Sequence, residues 1–241
     1  TGIDSLDALA CSRYGIIIGR TQNAFTTPVS DSVLGYILAF SRRQPWMDAA
    51  MKNGEWKKIP GKTLSESTLG IIGIGNIGKA VTRRAKTFGM KVLGTDIIEI
   101  DHVFINESGI ELTTLDILLS NSDFLSVNCD LNPTSEHLIN ALTLAQMKEN
   151  AILINTARGP IVDEIALIEA LQAGKLGGAA MDVFEVEPLP EDSPLKKMDN
   201  VMLAPHNSNS SPAAWERVHW NTIKNLLDGL EIDSSALKND K

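Results

Sequence analysis

The chain has 241 residues, with 22 Lys and Arg against 30 Asp and Glu, a formal charge of −8 and a pI near 5.0. This length allows one large α/β domain, or one domain with part of another. The acidic balance argues against nucleic-acid and anionic-membrane partners, which would need a basic face, so any anionic ligand must be held by a local cation.

No apolar run approaches the roughly 20 residues of a membrane span. Cys11 and Cys129 make no disulfide framework, which points to a reducing cytoplasm. No metal is expected. The opening TGIDSLD has neither the basic nor the apolar region of a signal peptide. It also lacks Met, and reads as a cut rather than a natural start.

In chain order, GIIIG (15–19) reads as a strand. A helix follows from Val29 to Arg43, opened by Pro28 and Ser30-Asp31 and stopped before Pro45. Asn53 to Glu66, with its Gly, Pro, Lys and Trp, reads as a connection. Further strands are expected at TLGIIGI (68–74), KVLGTD (91–96), DFLSVN (123–128), AILINT (151–156), GGAAMDV (177–183) and NVMLAP (200–205). Several are apolar on both faces, as parallel strands covered by helices must be.

Between these strands, a helix from Ile77 to Phe88 ends at Gly89. Another, capped by Asp163, runs to Ala173 and ends at Gly174. Ser211-Pro212 opens a last helix reaching Leu230, and a polar, frayed tail begins at Asp233. Alternating strands and helices imply βαβ units in a doubly wound parallel sheet, the Rossmann α/β class.

Gly73 to Gly78 spells G-x-G-x-x-G between a strand and a helix. The first glycine allows the tight turn, the second lets backbone approach a pyrophosphate, and the third lets helix pack on strand. Helix N–H groups and the positive dipole end then face the phosphates. Eighteen residues beyond Gly78, Asp96 ends the next strand, placed to accept from both ribose hydroxyls and to repel a 2′-phosphate. The dinucleotide is therefore read as NAD. Arg83 and Arg84, inside the helix, are expected to face solvent. The same stretch nearly matches a nucleoside-triphosphate loop, but Ala80 lacks the hydroxyl that coordinates magnesium. At Gly61-Lys62-Thr63 the glycine needed at 56 is Trp56.

Three further stretches begin at carboxyl ends of expected strands: INTARGPIVDE, MDVFEVEPLP and LAPHNSN. They bring Arg158, Glu187 and His206 to the edge where open α/β sheets bind ligands. Moving a hydride to or from a 2-hydroxy acid carbon also moves the hydroxyl proton, which histidine handles near neutral pH. A carboxylate orients the imidazole and favours its protonated form. Arginine grips a substrate carboxylate with two hydrogen bonds. Singly, each residue has an ordinary alternative as a loop histidine or a turn residue. Their convergence on one rim favours chemistry.

Together these stretches resemble the D-isomer-specific 2-hydroxyacid dehydrogenase family. GIIGIGNIGKAVTRRAKTFGMKV, SVNCDLNPTSEHLIN, NTARGPIVDE, GAAMDVFEVEPLP and APH occur in the family's order, within a resemblance running from Thr1 to about Leu230. The resemblance implies Arg158, Glu187 and His206 as the catalytic set. It implies NAD contacts at Gly73, Gly75, Asn76, Ile77, Gly78, Asp96, Cys129, Thr156 and Asp182, the last at the nicotinamide carboxamide. It further implies a Rossmann domain over 29–207, with remnants of a flavodoxin-like substrate domain at 1–28 and in the helix and tail of 208–241. Most of the N-terminal substrate domain is then missing. A homodimer through about Val29 to Trp56 is also implied, with a small 2-hydroxy or 2-keto acid as substrate.

The chain departs from the family at Asn128 and Asp130, where His and Pro are common, and at Asn207 to Ser210 after His206, which bears on the substrate pocket. The rival readings are an NAD(H)-binding fragment without turnover and an NAD-sensing interaction protein.

Overall fold

In the computed structural model, residues 2–4 and 6–232 are described. Seven parallel strands form one sheet: β1 (Thr68–Ile72), β2 (Lys91–Thr95), β3 (Glu111–Leu112), β4 (Phe124–Val127), β5 (Ile152–Asn155), β6 (Gly178–Met181) and β7 (Val201–Leu203), in the order β3-β2-β1-β4-β5-β6-β7. The order reverses between β1 and β4, where Gly70 aligns with Leu93 on one side and Leu125 on the other. A crevice opens at such a reversal, outside the carboxyl ends of the strands.

Side-chain alternation divides the core into two layers. Leu69, Ile71, Phe124, Ile152, Ile154 and Ala180 face one side, while Ile72, Leu125, Val127, Leu153, Ala179 and Met181 face the other. Helix α2 (Thr26–Arg42) buries Val29, Val33, Leu34, Ile37 and Phe40, a helical stripe that packs beside α4 (Asn76–Thr87) on the first layer. The opposite layer is covered by α6 (Leu115–Asn121), α7 (Ala141–Gln146) and α8 (Glu164–Gln172).

The six later strands stand where the sequence puts them, slightly shorter at their ends. The strand expected at 15–19 does not form. Residues 16–20 have no ladder partner among the described residues, and Ile16 and Ile17 are exposed. Here apolar content alone does not make a strand. Just past it, the chain is tied to α9 (Pro212–Gly229) by Asn225 Nδ2 to Arg20 O (3.0 Å) and Asn221 Nδ2 to Gln22 O (3.2 Å).

Helix α2 begins three residues before the expected Val29. Arg43, at φ +57°, ends it and starts α3 (Gln44–Lys52), with Pro45 in the first turn. Pro45 therefore opens a helix as well as following one. The connection before β1 holds one 3-10 turn, Leu64–Glu66, whose Glu66 carboxylate accepts from Thr63 N at 2.7 Å. Arg83 is exposed, but Arg84 is half-buried and pairs with Asp31 of α2 at 2.7 Å. The expected frayed tail lies outside the described residues. Among the described residues, no helix is long and apolar enough to cross a membrane.

Candidate active site

The turn from β1 into α4 is built by glycines with different reasons to be there. Gly73 has φ +87°, and a Cβ on it would lie 2.5 Å from Cys129 N. A Cβ on Gly78 would lie 2.1 Å from Gly73 O. Gly75 differs, with an ordinary φ of −72° and nothing within 4 Å of a Cβ placed there. Protein packing therefore does not require glycine at 75, and the open space fits a ligand that approaches the backbone closely. The first-turn N–H groups of Asn76, Ile77 and Gly78, next to it, have no intrahelical acceptors.

Asp96, just past β2, is fixed by Ile74 N (2.6 Å to Oδ2) and Ile98 N (3.2 Å to Oδ1). The Thr156 hydroxyl, beyond β5, is buried with no hydrogen-bond partner among the described residues. Asp182, beyond β6, is almost fully buried; its carboxylate accepts from Asn207 N (2.8 Å) and Ser208 N (3.0 Å). An open glycine turn, an orphaned buried hydroxyl and fixed carboxylates along one rim suit a dinucleotide. Cys129 completes that rim beside Gly73. Burial, with the charges of Asp96 and Asp130, pushes its thiol up to about 11, which favours the protonated form. The loop beyond it, at the departures Asn128 and Asp130, is tied to itself: Asn128 Nδ2 donates to Ser126 O (3.1 Å) and Ser135 Oγ to Asp130 O (2.7 Å).

Three segments carry the expected catalytic residues to the same edge. At the end of β5, Asn155 shapes the turn, donating to Arg158 O at 2.9 Å and accepting from Ala157 N at 3.1 Å. After β6, Glu187 accepts from Phe184 N through Oε1 at 3.0 Å and meets His206 Nδ1 through Oε2 at 2.9 Å. His206 has φ +51°, a left-handed conformation that costs a non-glycine residue about 1 kcal/mol. Its N–H donates to Asp182 O at 2.8 Å, and the Asp182 carboxylate fixes the next two N–H groups, so the loop holds the conformation. A Cβ on Gly159 would lie 1.9 Å from Phe184 C, so the Arg158 and Glu187 loops touch backbone to backbone.

Sequence reasoning missed Asp4. Its Oδ2 accepts from Arg158 Nε at 3.1 Å, while Arg158 Nη1 donates to Ala157 O at 2.7 Å. Burial raises the Asp4 carboxyl, but bonding to Arg158 and the charges of Arg158 and His206 outweigh it and hold it below the ordinary value. Among the described residues, the hydrogen bonds of Arg158 use Nε and one proton of Nη1.

A doubly wound parallel sheet with an open glycine turn at its reversal, and Arg158, Glu187 and His206 beyond β5, β6 and β7, suits a dinucleotide-binding enzyme. Residues 34–208 match the family described as D-isomer specific 2-hydroxyacid dehydrogenase, NAD binding domain. The chain is 40% identical over 232 residues to the glyoxylate reductase of Thermofilum pendens, covering 94% of this chain and 68% of that protein. It is 41% identical over 216 residues to the D-3-phosphoglycerate dehydrogenase of Methanocaldococcus jannaschii, covering 88% of this chain and 41% of that one. A crystal structure of D-lactate dehydrogenase from Aquifex aeolicus, complexed with NAD and lactic acid, matches with a TM-score of 0.88 and 31% identity, over 95% of this chain and 74% of that chain. The chain belongs to the D-isomer-specific 2-hydroxyacid dehydrogenase family, and its dinucleotide is NAD.

Proposed function

We propose that the chain carries the catalytic centre of an enzyme interconverting a small 2-keto acid and its D-2-hydroxy acid, with glyoxylate, hydroxypyruvate and phosphoglycerate as the candidate substrates. The observation that supports it most is the 2.9 Å contact between Glu187 and His206 on the edge that also carries Arg158.

Bound NAD supplies the hydride acceptor, and NADH the donor. Gly73, Gly75, Asn76, Ile77 and Gly78 hold the pyrophosphate, Asp96 the adenosine ribose, and Thr156, Cys129 and Asp182 the nicotinamide half. Arg158 grips the substrate carboxylate with its guanidinium N–H groups and polarises the carbonyl oxygen. Glu187 faces His206 Nδ1, which leaves Nε2 as the atom that gives or takes the hydroxyl proton. In keto-acid reduction, His206 starts protonated on both nitrogens and releases the Nε2 proton; in oxidation it takes that proton up.

In this reading residues 29–207 are the cofactor domain, while 1–28 and 208–241 belong to a substrate domain. The functional unit is a cytoplasmic homodimer joined through residues 29–56. Following NADH absorbance with glyoxylate, hydroxypyruvate and phosphohydroxypyruvate tests the reading. Oxidation that disappears in His206→Asn supports it. NADH binding without oxidation of any of them would leave a cofactor-binding protein in its place.

A further inference from the structure

A second ionic cluster lies beside the proposed centre. His137, at φ +46°, donates its N–H to Pro160 O at 2.8 Å and places Nε2 2.8 Å from Glu185 Oε1. The same oxygen accepts from Glu164 N at 3.3 Å, and Glu164 Oε2 accepts from Glu185 N at 3.4 Å. Two carboxylates thus exchange backbone N–H bonds, with an imidazole closing the cluster. Burial and the Glu185 charge hold the Glu164 carboxyl above its ordinary value.

These residues come from three segments that meet around the centre. His137 lies in the segment beyond Cys129, and Glu164 opens α8 a few residues past Arg158. Glu185 stands two residues before Glu187 and presses on Gly159, whose added Cβ would lie 2.5 Å from Glu185 N. Glu187 itself is fixed by Phe184 N and His206 Nδ1. The Phe184–Glu187 loop is therefore held from one side by the cluster, and the other side orients the histidine.

We propose that His137, Glu164 and Glu185 form a positioning clamp that holds Glu187 in register with His206. This rests on the proposed roles of Glu187 and His206. The clamp touches neither substrate nor cofactor; it acts through Glu187, as groups that fix a catalytic carboxylate do.

The test is a double-mutant cycle on the full chain. Glu185→Ala should lower kcat for glyoxylate about tenfold, with KM for NADH within about twofold, as expected when an oriented catalytic group is loosened. Glu185→Gln keeps an acceptor for Glu164 N and should recover most of that loss. In a Glu187→Gln background, Glu185→Ala should cost little more, because its target is already gone. His137→Asn, which removes a half-exposed ring, repeats the cycle should Glu185→Ala fail to fold. Equal, multiplicative losses in both backgrounds, or no loss, would overturn the clamp. If the unmodified chain binds NADH without turnover, the functional reading fails. The clamp is then judged by urea unfolding: coupled shifts of the 185 and 187 variants keep it, and additive shifts remove it.

Discussion

Asp4 and Arg158 show how one contact sets what a side chain can do. With Nε on Asp4 and Nη1 on Ala157 O, the guanidinium cannot swing freely, and Nη2 lies beside Gly2. Asp4→Asn keeps shape but loses charge and should raise KM for the keto acid about tenfold, with NADH affinity unchanged. Stopped-flow NADH binding beside steady-state kinetics checks both halves, and equal losses would remove Asp4 from this role. The pairing has a pH window. Asp4 is held below its unfolded value of about 3.9, so its contribution is complete above that value and fades as pH falls through the lower folded value. The pair is partly exposed and therefore worth little in stability. Arg158→Lys should cost about a hundredfold or more in kcat/KM with little change in NADH affinity, because an ammonium cannot replace the planar fork. Comparable losses in both would contradict a substrate role.

At the scale of elements, the β1–α4 turn separates structural from ligand-facing glycines. Gly78→Ala forces a methyl against Gly73 O and should destabilise the fold by about 1–3 kcal/mol. Gly75→Ala meets open space, so the melting temperature should hold while NADH affinity falls at least about tenfold. Thermal melts and nicotinamide fluorescence measure the two, and a stable Gly75→Ala chain with intact binding would contradict a pyrophosphate beside it. The sequence makes β1, β2 and β4 to β6 legible because strands covered on both faces must be apolar, while the half-buried edge strand β7 shows by its apolar run alone. It hides α1 (Ala8–Arg13), α5 (His102–Ser108), α6 and α7, which at six or seven residues are too short to show a helical period. The two-residue, exposed β3 gives no pattern either. Residues 15–19 mislead because their composition is strand-like while no ladder partner stands beside them. Arg158, Glu187 and His206 were legible because each follows an obvious strand, so topology alone brought them to one edge. Asp4 was not, since its contact spans 154 positions and leaves no spacing signal.

At the scale of the whole molecule, Met51 of α3 and Trp56 in the connection after it are exposed, Trp56 to 85%. Exposed apolar surface of this kind suits a subunit interface. Sedimentation equilibrium should give twice the 26.1 kDa chain mass, and Trp56→Glu should shift it toward one. A monomer at micromolar concentration would contradict the proposed dimer. In the proposed function, Arg158, Glu187 and His206 act as one centre fed by NADH. Its most direct test is single-turnover NADH absorbance with glyoxylate, comparing the chain with His206→Asn, Glu187→Gln and the pair combined. The unmodified chain should turn over, His206→Asn should lose most of that activity, and the double variant should be no worse than His206→Asn alone. Unchanged oxidation in His206→Asn, or independent multiplying losses, would contradict it.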